Sequence, residues 1–142
     1  MATIGRSNQL KVVKEVKFGV YLDGEELGDI LLPVRYVPEN TKVGDTLDVF
    51  IYLDSEDYLI ATTLEPKTAV GEFACLTAVS VNRIGAFFDW GLPKDLLVPF
   101  NEQKQAIEEE KKYIVYTYLD NETDRIAGST KLNKFLDQEP GR

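Results

Sequence analysis

The chain has 142 residues, 44% of them hydrophobic and 28% charged, with a net charge of −8. That is the length of one ordinary domain or two very small ones, with enough apolar residues to bury a core. No apolar run approaches the roughly 20 residues that span a bilayer, and the first residues lack the apolar centre of a secretory signal, so a cytoplasmic protein without membrane contact is expected. The sequence has no histidine and one cysteine, Cys75. Ser/His and Cys/His nucleophilic pairs, imidazole zinc sites and an internal disulfide are thereby removed, and the acidic balance opposes non-specific binding to phosphate.

In chain order, Gln9 to Lys17 is valine-rich with interleaved lysines, Gly19 to Asp23 continues it, and Asp29 to Pro33 is a short apolar run closed by proline. These read as three strands. Residues Leu47, Val49, Ile51 and Leu53 alternate with Asp48, Phe50, Tyr52 and Asp54, the period of two that marks a strand with two different faces. Asp54 to Asp57 is a turn, and Tyr58 to Thr63 returns as a fifth strand.

The same order then recurs. Shifted by 66 residues without a gap, the chain matches itself at 15 of the 60 positions from Gly5 to Leu64. Gly19 meets Gly85, Val13 meets Val79, Pro33 meets Pro99, and Tyr52-Leu53-Asp54 meets Tyr118-Leu119-Asp120. A duplication of that extent predicts two similar units. The second set of strands is Glu72 to Arg83, Ala86 to Asp89, Asp95 to Pro99, Tyr113 to Asp120 and Arg125 to Thr130. Between its third and fourth strands, Phe100 to Glu110 is polar and helix-compatible, whereas the matching Val34 to Val43 contains Pro38 and reads as a loop or one helical turn.

The expected fold is therefore all-β: two tandem five-stranded barrels of the OB-fold type, with a short helix or turn between strands 3 and 4. Closure into a barrel removes the open edges that so small a sheet would otherwise expose. The expected boundaries are 1–66 for the first barrel, 67–136 for the second and 137–142 for a tail. Units this small bury only about 60% of their unfolded surface, so the barrels are expected to pack together.

The second unit carries Gly71, Ile84-Gly85-Ala86-Phe87, Asp95-Leu96-Leu97-Val98-Pro99 and the run from Asp120 through Arg125-Ile126 to Ser129-Thr130-Lys131. This resembles the ribosomal protein S1-type RNA-binding domain. The first unit resembles it through Phe18-Gly19-Val20-Tyr21 and Leu31-Leu32-Pro33. Across the whole chain, Phe18 to Asp23, Leu31 to Pro38, Val49 to Asp57 and Ala61 to Thr63 are similar to the bacterial conserved virulence factor B, or YitL-like, family. Members of that family continue into a third S1-like barrel and a winged-helix domain, so the resemblance implies a piece of a longer protein. It also implies a regulator of gene expression, and RNA-binding roles for Phe18, Tyr21, Phe87, Asp120, Arg125 and Lys131. Where the S1 pattern has a histidine, this chain has Pro33 and Pro99, and where it has the arginine, the first unit has Leu59.

The residues have their own physical reading. Phe18 and Tyr21 are three apart, so a regular strand would send them to opposite faces, and a bulge at Gly19 is one way to bring them together. The alternative for Phe18 is core, on the side of Val20 and Leu22. Tyr21 and Phe87 share a face with Asp23 and Asp89, where an uncovered ring can stack on a base. Arg125 can bind phosphate or stack. Asp54 and Asp120 can each instead serve their own turn as backbone acceptors.

Phe50/Tyr52 and Tyr116/Tyr118 are outward aromatic pairs that can stack on RNA but better suit an interface between the barrels, Trp90 suits a barrel cap or that interface, and Cys75 the core. The function expected is weak, low-specificity binding of single-stranded RNA by a monomer, with no cofactor, no metal and no catalysis. The other reading left open is a docking or spacer unit whose acidic surface meets a protein partner or further domains. A hydrolytic reading has only unpaired carboxylates to support it.

Overall fold

Alternating valine, leucine and isoleucine positions drive ten short strands, which a computed structural model describing residues 1–136 closes into two separate five-stranded barrels. The strands are β1 (Ser7–Val16), β2 (Gly19–Asp23), β3 (Asp29–Pro33), β4 (Thr46–Leu53), β5 (Leu59–Thr62), β6 (Phe73–Val81), β7 (Gly85–Asp89), β8 (Leu96–Pro99), β9 (Lys112–Leu119) and β10 (Ile126–Ser129), followed by one helical turn, α1 (Asn133–Leu136). The chain divides into a unit Met1–Glu65 and a second unit that begins at Pro66. The tail expected at 137–142 lies outside the described residues.

Each barrel runs β1-β2-β3-β5-β4 or its equivalent, with the third and fifth strands parallel and every other pair antiparallel. The long first strand makes this closure possible. Its first half, Ser7 to Lys11, pairs with β4, and its second half, Val12 to Val16, pairs with β2. Between them the register skips past Val13, and in the second barrel past Val79. The extra residue bends and twists the strand so that it can serve two neighbours, while its own side chain stays on the outside. The expected bulge at Gly19 is thus on the opposite strand. Gly19 pairs regularly with Val16 and Pro33, and its value lies in a close approach instead, because a Cβ there would overlap the carbonyl oxygen of Leu32. Gly85 makes the same approach to Val98.

The first core is built on Val12, Val20, Leu22, Ile30, Leu32, Val49 and Ile51, and the second on Leu76, Ala78, Ala86, Phe88, Leu96, Val98 and Val115, all buried. On β4 both alternating sets are buried from Val49 to Leu53, Phe50 and Tyr52 included. Two further expectations are corrected. Cys75 is exposed, since alternation from buried Leu76 turns it outward. The helix-compatible stretch Phe100 to Glu110 forms only a 3-10 turn at Phe100–Glu102. Beyond that turn Ile107 is drawn into the core, and the Lys104 N–H donates to Thr130 Oγ1 at 2.9 Å instead of continuing a helix. Among the described residues, no helix is long and apolar enough to cross a membrane.

Candidate nucleic-acid interface

Hairpin geometry presents the aromatic step. Phe18 occupies the tight turn between β1 and β2, where it is 56% exposed, and Tyr21 lies half-buried on β2 between buried Val20 and Leu22. Their rings meet edge to face, with centroids 6.4 Å apart and planes at 85°. Phe18 is therefore surface, and the core alternative for it is excluded. In the second barrel Ile84 takes the turn position, 61% exposed, where Asn82 Oδ1 accepts its N–H at 2.8 Å. Phe87, half-buried on β7, repeats Tyr21.

Phe87, Asp120 and Arg125 come together along one groove of about 540 Å³ on the second barrel. Leu97 and Pro99 of β8 and Ile126 and Ala127 of β10 also line it, beside Ile84. The parallel pairing of β8 with β10, Leu97 opposite Ala127, places these segments side by side. The proline at the third-strand position is thus an apolar wall of the groove. Lys94, Asp95 and Tyr118 complete the lining; Lys94 and Asp95, loop residues just before β8, were missed from sequence, whereas RNA stacking was the less favoured of the two readings of Tyr118.

The charges in the groove balance, with Lys94 and Arg125 against Asp95 and Asp120. Asp120 Oδ1 accepts the Glu122 N–H at 3.0 Å, so this carboxylate also holds its own turn, as Asp54 does in the first barrel through Glu56 and Tyr58. Partial desolvation and then repulsion from Asp89 push the Asp95 carboxyl above the ordinary carboxylate value. Asp89 itself is held low, chiefly by the Gly91 N–H and then by Lys67 at 3.4 Å. Burial, followed by the nearby negative charges of Glu102 and Asp120, pushes the Tyr118 hydroxyl up to about 12, so it is a neutral phenol at any working pH.

Lys131 does not line this groove. It lies just past β10 in a second concavity, with Lys104 and Lys134. The outward aromatics of β9 are covered from within the same barrel. Phe135 of α1 stacks on Tyr116 at 4.2 Å and on Tyr118 at 5.8 Å, with Phe73 on Tyr116 at 4.7 Å. Trp90 is buried, and its indole N–H donates to the Lys94 carbonyl at 2.6 Å. Among the described residues no cluster of three or more Cys, Asp or Glu is arranged to hold a metal ion.

Two closed five-stranded barrels of this topology, each with a glycine-supported aromatic step, define a tandem OB-fold protein. Comparison with known proteins agrees, since residues 4–64 match the S1 domain. The chain is 35% identical over 96 residues to YitL of Bacillus subtilis (strain 168), a match covering 66% of this chain and 32% of YitL. This is accordingly a tandem S1-like protein that resembles the YitL-like family. A crystal structure of a multidomain protein with nucleic acid binding domains from Streptococcus pneumoniae TIGR4 shares the fold, with a TM-score of 0.76 and 21% identity over 95% of this chain and 48% of that one. The chain thus corresponds to 32% of the length of the first relative and 48% of the second.

Proposed function

We propose that this chain is a non-catalytic RNA-binding module that holds single-stranded RNA with low sequence specificity and acts as a monomer within a cytoplasmic bacterial regulator of gene expression. The observation that carries the reading is the groove that gathers the Phe87 ring and the Arg125 guanidinium on an apolar floor. A flat ring accepts any base, and a guanidinium beside it can meet a phosphate or stack in turn. The S1 domain match and the nucleic acid binding domains named for the Streptococcus protein support the same reading. Phe18 and Tyr21 offer a second pair of rings on the first barrel, without an arginine at the Leu59 position. Further domains of a longer protein would add affinity to what two barrels supply.

Fluorescence anisotropy with labelled oligo(U) over a salt series tests this. Phe87→Ala is expected to weaken binding by about 5- to 150-fold, the equivalent of one lost base stack of about 1–3 kcal/mol. Arg125→Ala should weaken it and lower the salt slope by about 0.7, the contribution of one phosphate on a single strand. A second reading, docking of a protein partner, is favoured by the 12 acidic against 6 basic residues in the stretch 1–66. Absence of oligo(U) binding at low salt, where phosphate contacts are strongest, would decide for it.

A further inference from the structure

We infer that Lys104 and Lys131 form a phosphate-binding pocket on the second barrel, separate from the aromatic groove, which takes the backbone of a single-stranded RNA as it passes along β10. The identity of the anion rests on the RNA-binding reading above, whereas the pocket stands on its own geometry.

The aromatic groove has two cations and two carboxylates, so it exerts little net pull on a polyanion, and the chain as a whole carries −8. The attraction for phosphate has to come from elsewhere. A concavity of about 480 Å³ is lined by Lys104, Thr130, Lys131, Leu132, Asn133 and Lys134, three ammonium groups and no carboxylate. The adjacent acid, Glu102, is committed, because it accepts Lys134 Nζ at 2.6 Å and Ser129 Oγ at 2.8 Å. Its charge is thus spent on Lys134. Lys104 and Lys131 are exposed and have no ion pair among the described residues.

The backbone fixes where these two lysines stand. The Lys104 N–H donates to Thr130 Oγ1 at 2.9 Å, the Thr130 N–H to the Glu102 carbonyl at 3.0 Å, and the Lys131 N–H to Ser129 Oγ at 3.1 Å. This lacing ties the segment after β8 to the end of β10, so lysines distant in sequence share one hollow. A smaller hollow of about 150 Å³ shares Lys104, Thr130 and Leu132 and adds Ile114, 47% exposed, which gives the cations an apolar neighbour suited to a sugar or base. Arg125 immediately precedes β10 and Lys131 lies just beyond it. At about 3.3 Å per residue their backbones are at most about 20 Å apart, a span that fits the roughly 4–16 nucleotides an OB-fold holds.

The test uses the full chain and the double variant Lys104→Gln/Lys131→Gln, which removes charge from two exposed positions, with circular dichroism to check the fold. Binding of oligo(U) of about 15 nucleotides is followed by anisotropy over a salt series. Loss of two phosphate contacts should lower the slope of log K against log salt by about 1.4, whereas Phe87→Ala should weaken binding with its slope unchanged. A double variant that binds with the parent slope overturns the inference. Inorganic tripolyphosphate, which has no base to stack, supplies an arm independent of the RNA reading. Its titration should shift the backbone amides of Thr130, Lys131 and Asn133 in the parent and not in the double variant. Should oligo(U) fail to bind while these amides move, the RNA reading falls and the pocket stands as an anion site; amides that stay still overturn the pocket itself.

Discussion

The backbone of Gly19 lies against the carbonyl of Leu32 so closely that a Cβ would overlap the oxygen, and Gly85 has the same relationship to Val98. Both glycines sit at the start of the second strand with positive φ, +152° and +159°. They let the turn that carries Phe18 or Ile84 fold down onto the third strand, so they position the exposed residue of each aromatic step.

Gly19→Ala is therefore expected to be costlier than Gly28→Ala in the same barrel. Gly28 also has positive φ, +81°, but a Cβ there meets nothing within 4 Å. Both substitutions incur backbone strain of about 1–3 kcal/mol. Only the first adds a collision, typically worth another 1–3 kcal/mol or so. Urea unfolding of the two variants measures the difference directly, and equal losses would mean that the approach to Leu32 carries no weight.

The strands and their order were legible because period-two patterning and the internal duplication reinforce each other, each unit supplying a second copy of every signal. The same duplication hid a feature in plain sight. Val13 and Val79 match as ordinary strand valines, yet they are the extra residues of the first-strand bulges, and only the register against β2 and β7 reveals it. Cys75 was misplaced by its apolar neighbours although its alternation with Leu76 already pointed outward. Of the residues drawn from the S1 pattern, Phe87, Asp120 and Arg125 share a groove and Lys131 does not. Lys94 and Asp95 were illegible because a groove wall is assembled from loops and strands that no local pattern links. The stack of Phe135 on Tyr116 is likewise a contact between distant segments, dependent on how the chain returns over β9.

Tyr118 makes folding sensitive to alkali. Its hydroxyl is pushed up to about 12, against about 10 in an unfolded chain, so between these values the folded state holds a proton that the unfolded state has lost. The contribution is complete below pH about 10 and disappears as pH rises through about 12. Tyr118→Phe keeps the ring against Phe135 and removes the ionisation. Urea midpoints across this window should then fall less steeply in the variant than in the parent, with a residual slope from Tyr52, whose hydroxyl burial also raises. Superimposable slopes would place the ionisation elsewhere.

Asp95 is the groove's adverse charge. It lines the same groove as Arg125 and Phe87, and a carboxylate there repels the phosphates that Arg125 is proposed to meet. One unit charge at about 4 Å in water is worth about 1 kcal/mol, so Asp95→Asn should tighten oligo(U) binding by about fivefold at neutral pH. Desolvation and Asp89 raise the Asp95 carboxyl, so in the parent this repulsion is relieved on acidification sooner than at an ordinary aspartate. Affinity should accordingly climb on acidification in the parent and climb less in Asp95→Asn. The sign for folding is the same, since a raised carboxyl favours the folded state only while protonated, and the variant should be slightly more stable at neutral pH. Anisotropy titrations at neutral and mildly acidic pH measure the first effect. An Asp95→Asn variant that binds no tighter than the parent would mean that the strand's phosphates run clear of this wall and follow the lysine side of the barrel instead.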